Sequence, residues 1–212
     1  MADSQTLARV HSGTTRTWFS GGALLLASVV VGASLQPGFV PGSGILRTAL
    51  FSAALLVFAF GLRGGAGSVT ARRPLGTIAL AGLAVWLLLG EVLQDTLATA
   101  LSDGSATTGL LVFAYADAAV QFLLAIIAVV QIGRAGMVSA PWNWVPAWCV
   151  GAVTASWLLS QLVAGGTSID PMLVTVVLLS LDGLLRMGSA VLLGVLAVVL
   201  ADRASRARAP QA

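Results

Sequence analysis

The chain has 212 residues, of which 58% are hydrophobic and 9% charged, with a formal net charge of +3. A water-soluble fold of this length has too little interior to hide so much hydrocarbon, so the composition excludes an ordinary soluble domain and points to the bilayer as solvent. All basic side chains except His11 are arginine, and without lysine a retinal Schiff base, a Ser–Lys dyad and a Walker-type phosphate loop all lack their essential nitrogen.

Residues 1–17 read as a polar leading tail containing Arg9, His11 and Arg16. The first apolar run, Trp18–Leu35, is long enough to cross a hydrocarbon core about 30 Å thick as a helix. Val31-Gly32-Ala33 has the small residues of a signal-peptidase site, but the run exceeds a usual signal core, and the expectation is that this span is retained. The turn-rich stretch Gln36-Pro37-Gly38-Phe39-Val40-Pro41-Gly42 leads to a second span at Ile45–Leu62. Arg63-Gly64-Gly65-Ala66-Gly67 separates that span from a third at Leu75–Leu97, with Pro74 placed at a first helical turn, where its missing N–H costs nothing. A fourth span covers Gly109–Ile132 and a fifth Trp144–Ala164. The fifth begins among Trp142, Trp144 and Trp148, as an interfacial aromatic belt would, and its Cys149 reads as a small packing residue. After Gly165-Gly166-Thr167-Ser168, Asp170 is placed to cap a sixth span, Met172–Leu200, with Pro171 in its first turn. Residues 201–212 form a basic tail.

The predicted fold class is therefore all-α: a polytopic transmembrane helix bundle of about six spans over 18–200. A lipid-exposed backbone must satisfy its own hydrogen bonds, and no segment alternates like a barrel strand. Arg9, Arg16, Arg63, Arg72, Arg73, Arg134, Arg203, Arg206 and Arg208 fall on one side of such a bundle, and only Arg47 in a loop of the other, beside Asp103 and Asp170. By the positive-inside rule both ends lie in the cytoplasm, in a cytoplasmic membrane of bacterial type. The basic balance thus records topology, and nucleic acid is not an expected partner.

His11 is the only histidine and lies in the tail, so the spans hold no imidazole for a haem, a zinc site or a Ser-His relay. Neither Tyr115-Ala116-Asp117 nor Leu181-Asp182-Gly183 reproduces the motifs of presenilin-like proteases. No enzymatic activity, cofactor or metal is expected. Small residues four apart, Ser28/Gly32, Ala147/Gly151/Ala155 and Ala190/Gly194, are candidate close-approach stripes within the bundle or between copies.

Ionisable groups inside a membrane are costly and mark either structure or function. Asp182 falls eleven residues past Pro171, about 16 Å along a helix and so near mid-membrane, with Arg186 one turn on in the favourable acid-before-base order. Read structurally, the pair satisfies itself and orients the sixth helix; read functionally, Asp182 binds a proton or cation and Arg186 resets it. Glu91 and Asp95 share a face of the third span. Asp117, with Gln121 one turn deeper, enters the fourth from the same side, so the three acids are candidates for an outward-facing vestibule. The milder alternative ends the third helix early and leaves Glu91 and Asp95 among hydrated headgroups. Four acids against one arginine favour a cation or proton over an anion. The expected function is a small proton- or cation-linked transporter or channel-like protein; the alternative is a non-catalytic membrane subunit or regulatory partner of a larger complex.

Overall fold

The computed structural model describes residues 2–35, 42–62, 68–70, 73–100, 107–136, 142–164 and 171–206, with side chains throughout except at 2–13, 95, 97–100, 107, 108, 110, 164, 171 and 173–175. Its α-helices are α1 (Ala2–Ser34), α2 (Ser43–Phe60), α3 (Pro74–Ala100), α4 (Thr107–Ala135), α5 (Val145–Ala164) and α6 (Pro171–Arg206), and a short 3₁₀ turn, Trp142–Trp144, leads into α5. All six α-helices are long and apolar enough to cross a membrane, which makes this a multi-pass membrane protein. The segment before Trp18 continues α1 rather than hanging from it, and α3 runs on to Ala100 instead of stopping near the acids. At the other extreme α6 extends past Leu200 to Arg206, with Arg203 and Arg206 in its last turn, where they complement the helix dipole.

Consecutive helices run antiparallel and pack in the order α6–α1–α2–α3–α4, with α5 held against α6 and touching α4 only sparsely. The start of α1 and the end of α6 share one end of the bundle, here the terminal end; the opposite end is the distal end. Packing is concentrated in the terminal half. Trp18, Val69, Ala197 and Ala201 form one buried cluster, and Ala59, Ala79, Leu80 and Ala128 another. In lipid, dispersion between closely approaching helices replaces the hydrophobic drive, and the alanines at these seams allow that approach. Beyond Cys149 in α5 and Ala190 in α6, toward the distal end, Ser156 is the one buried residue among those described. The distal half of the α5–α6 hairpin is therefore largely exposed.

Residues 68–70, a connection between α2 and α3, enter the terminal end of the bundle. Gly61 stops α2 with φ 71° and ψ 159°, a backbone that a side chain would strain, and its N–H still bonds the Val57 carbonyl at 2.9 Å. The chain then returns so that Val69 N–H donates to the Phe58 carbonyl at 3.0 Å and the Ser68 hydroxyl to the Ala59 carbonyl at 2.8 Å. These are carbonyls that a helix C-terminus otherwise leaves without partners. Val69 packs among Trp18 of α1, Phe58 of α2, Ile132 of α4 and Ala197 of α6, while Thr70 reaches Thr77 of α3. Five helices thus close around three residues.

The hydroxyls of Ser68, Thr70 and Thr77 form a chain, 2.9 Å at each step. Each hydroxyl has one proton and Ser68 gives its own to Ala59, so when all three bonds form Thr77 donates to Thr70 and Thr70 to Ser68, while the Thr77 hydroxyl also reaches the Arg73 carbonyl at 3.2 Å. Thr70 is fully buried. Thr70→Val keeps the shape and removes two of these bonds, and is expected to destabilise the protein by about 2 kcal/mol at roughly 1 kcal/mol per bond. Chemical unfolding in detergent micelles measures this, and an unchanged midpoint counts against the closure described.

Candidate functional site

Hydrocarbon makes every polar side chain within a span account for its hydrogen bonds. Asp117 does so completely. It projects from α4 toward α3 and is 6% exposed. The Trp86 indole N–H of α3 donates to Oδ1 at 2.7 Å, and the Gln121 amide, one turn along α4, donates to Oδ2 at 2.8 Å. Gly90 permits the approach, since a Cβ there would stand 3.3 Å from Oδ1. Both partners are neutral, and no arginine pairs with this carboxylate among the described residues.

Glu91, the next residue along α3, faces α2 instead. Its Oε2 accepts from the Thr48 hydroxyl at 3.2 Å and its Oε1 lies against Gly44. Gly44 is in the first turn of α2, which has no acidic residue of its own, so Glu91 supplies negative charge to the positive end of that helix. Glu91 is thereby tied to α2 rather than to Asp117. The Asp95 side chain lies outside the described residues.

Asp182 and Arg186 make the expected pair along α6, with Arg186 Nε donating to Asp182 Oδ2 at 2.6 Å. The pair is not enclosed: 56% of the Arg186 side chain is exposed, and Asp182 Oδ1 is buried without a partner. Residues 182, 186, 190 and 194 follow one another at helical four-residue spacing along a single ridge. Gly194 on that ridge is pressed against Leu26 and Gly22 of α1, whereas Arg186, two turns toward the distal end, is open. The pair therefore lies where α6 parts from α1. Among the described residues no hydrogen bond or ion pair joins Asp182 or Arg186 to Asp117, Gln121 or Glu91.

Across the distal half the α4–α5 seam is bridged by Tyr115, whose hydroxyl donates to Gln161 Oε1 at 2.9 Å and whose ring meets Trp157 edge-on at 6.1 Å. Cys149 is buried and meets the Ser189 hydroxyl of α6. Among the described residues no three His, Cys, Asp or Glu side chains are grouped to hold a metal ion. Trp86 was not singled out from the sequence, although a signal existed. Twelve residues past Pro74 it sits about 18 Å along α3, far from an interfacial belt, and a tryptophan at that depth needs an acceptor for its N–H.

The chain matches no protein-family model, no curated protein and no solved structure.

Proposed function

We propose that this is a small proton- or cation-linked transporter or channel-like protein of a cytoplasmic membrane, with both termini inside, and that Asp117 is its central exchange group. The observation that carries this reading is the pairing of a buried carboxylate with neutral donors alone. An anion without a basic neighbour in low dielectric is costly unless a cation or a proton accompanies it. Trp86 and Gln121 donate to the ionised form; a proton arriving on Oδ1 makes that oxygen a donor and a weaker acceptor for the Trp86 indole of α3. Loading and unloading are thereby coupled to the contact between α3 and α4.

The looseness of the distal half supports access from that side, and the Ser68–Thr70 segment supports closure at the other. Asp182 and Arg186, paired along α6, add a second charged station in the distal half. The positive-inside rule assigns the distal side to the exterior.

Proteoliposomes with an imposed potassium diffusion potential and an internal pH-sensitive dye test this reading. The wild-type chain is expected to carry proton current well above empty vesicles, and Asp117→Asn to reduce it to their level while eluting as a single species in detergent. Flux unchanged in Asp117→Asn overturns the assignment. Absence of flux in the wild type, together with a stoichiometric companion in mild-detergent purification, supports the alternative of a non-catalytic subunit.

A further inference from the structure

At the terminal end, where α1, the residues just after α2 and α6 meet, the surface has a groove of about 590 Å³. Its depth in the membrane follows from its walls. Those from α1 lie within two turns of the start of the apolar stretch at Thr14, and those from α6 lie in its last turns before Arg206. The groove therefore sits at the boundary between hydrocarbon and headgroups.

Beside Thr15, the polar groups of the groove are one cationic donor and several acceptors. Arg16 makes no side-chain hydrogen bond or ion pair among the described residues and is exposed, so its five N–H groups are available. Ser20 gives its proton to the Arg16 carbonyl at 2.9 Å or that of Thr17 at 3.1 Å, and Ser205 gives its own to the Asp202 carbonyl at 2.7 Å. Both hydroxyls then offer only lone pairs. Asp202 accepts from Arg206 at 2.9 Å through Oδ2 and is half exposed, which leaves acceptor sites on its carboxylate. Toward the hydrocarbon the walls become apolar, with Phe19 exposed and Val198 beside it, and Leu62 is exposed at the level of Thr17.

We propose that this groove binds a phospholipid whose headgroup carries a primary ammonium, of the phosphatidylethanolamine type. The phosphate lies on Arg16, the ammonium donates its N–H groups to Asp202, Ser205 and Ser20, and an acyl chain runs along Phe19, Leu62 and Val198. A choline headgroup has the charge but no N–H to give. A glycerol headgroup has donors but no positive charge for Asp202. The arrangement requires only a membrane-spanning chain and is independent of whether it transports anything.

The experiment is native mass spectrometry of the delipidated full-length chain in detergent, titrated with phosphatidylethanolamine, phosphatidylcholine and phosphatidylglycerol of identical acyl chains. Wild type is expected to bind the ethanolamine lipid about tenfold more tightly than the choline lipid, the weight of one charge-assisted hydrogen bond. Arg16→Gln weakens all three lipids together, because the phosphate is common to them. Asp202→Asn reduces the preference for ethanolamine and weakens the choline lipid by a smaller factor, that of the lost charge attraction alone. Both positions are exposed, so both variants retain the fold, which helical circular dichroism checks. Equal affinity for ethanolamine and choline lipids in wild type, or an undiminished preference in Asp202→Asn, overturns the proposal. So does displacement of the lipid by soluble glycerophosphoethanolamine at equal concentration, which makes the free headgroup the ligand.

Discussion

Gly22→Leu is expected to separate α1 from α6 and to remove most of the protein's thermal stability. At this crossing a Cβ on Gly22 would lie 2.8 Å from the Gly194 carbonyl oxygen, 3.0 Å from Val198 and 3.2 Å from Ala197. The approach is mutual, since a Cβ on Gly194 would lie 3.2 Å from the Gly22 carbonyl oxygen and 2.9 Å from Leu26. Two backbones this close are joined by Cα–H···O contacts and dispersion, which a side chain can only pry apart. A carbonyl within a helix cannot swing aside as a side-chain tip can. Overpacking in a tight interior costs about 1–3 kcal/mol for added methylenes, and leucine here belongs at or above the upper figure. Trp18, one turn earlier in α1 and buried at the same seam, makes its own fluorescence a reporter of the separation. The control is Gly151→Ala, where a Cβ meets nothing within 4 Å and helix propensity alone favours alanine by up to about 1 kcal/mol. Melting of Gly22→Leu at the wild-type temperature would show that α1 and α6 do not cross here.

That seam also shows what sequence spacing reveals and what it hides. The six helices were legible because hydropathy over a span is a sum, insensitive to which face any residue occupies. The rotation of each helix about its own axis is not such a sum. Of the candidate stripes, Gly194 of Ala190/Gly194 and Gly32 of Ser28/Gly32 do meet a neighbouring helix closely, but Gly151 and Ala155, with the same spacing, are exposed on α5. In a chain this rich in small residues the pattern recurs by chance. Gly22, the α1 glycine that meets backbone of another helix, belonged to no stripe. Depth along a helix correctly placed Glu91 and Asp117 at similar levels, yet consecutive residues of α3 point about 100° apart. Gly90 therefore meets α4 and Asp117, and Glu91 turns to Thr48 and Gly44 of α2. The pair at Asp182 and Arg186 was legible because i and i+4 neighbours need no knowledge of other helices. The Ser68–Thr70 closure had no signal of this kind: its residues are ordinary turn neighbours, and only the carbonyls of α2 and the walls of five helices give them a place.

The same distinction decides between the two roles open to Asp182 and Arg186. Asp182→Leu leaves an arginine within the apolar span of α6 with no counter-charge, and Arg186→Leu leaves an acid there. Centre-of-helix insertion values put either charge at about 2.5–3.5 kcal/mol. That figure is an upper bound for residues six and ten positions from the start of the span, and each single substitution is expected to lower stability and membrane yield by up to that amount, less for the half-exposed arginine. The double substitution removes both charges at once and is expected to return to wild-type stability or exceed it, since replacing a satisfied ion pair by apolar side chains of similar size is often neutral or favourable. Unfolding in detergent and quantified membrane insertion complete that cycle. Flux then separates the roles, because the double variant is folded by construction of the cycle. Proton current lost in a stable Asp182→Leu/Arg186→Leu protein makes the pair part of the conducting path; current retained makes it a device that only orients α6. Single variants as stable as wild type would mean that water already reaches both groups, and the cleft between α1 and α6 would have to be an aqueous one.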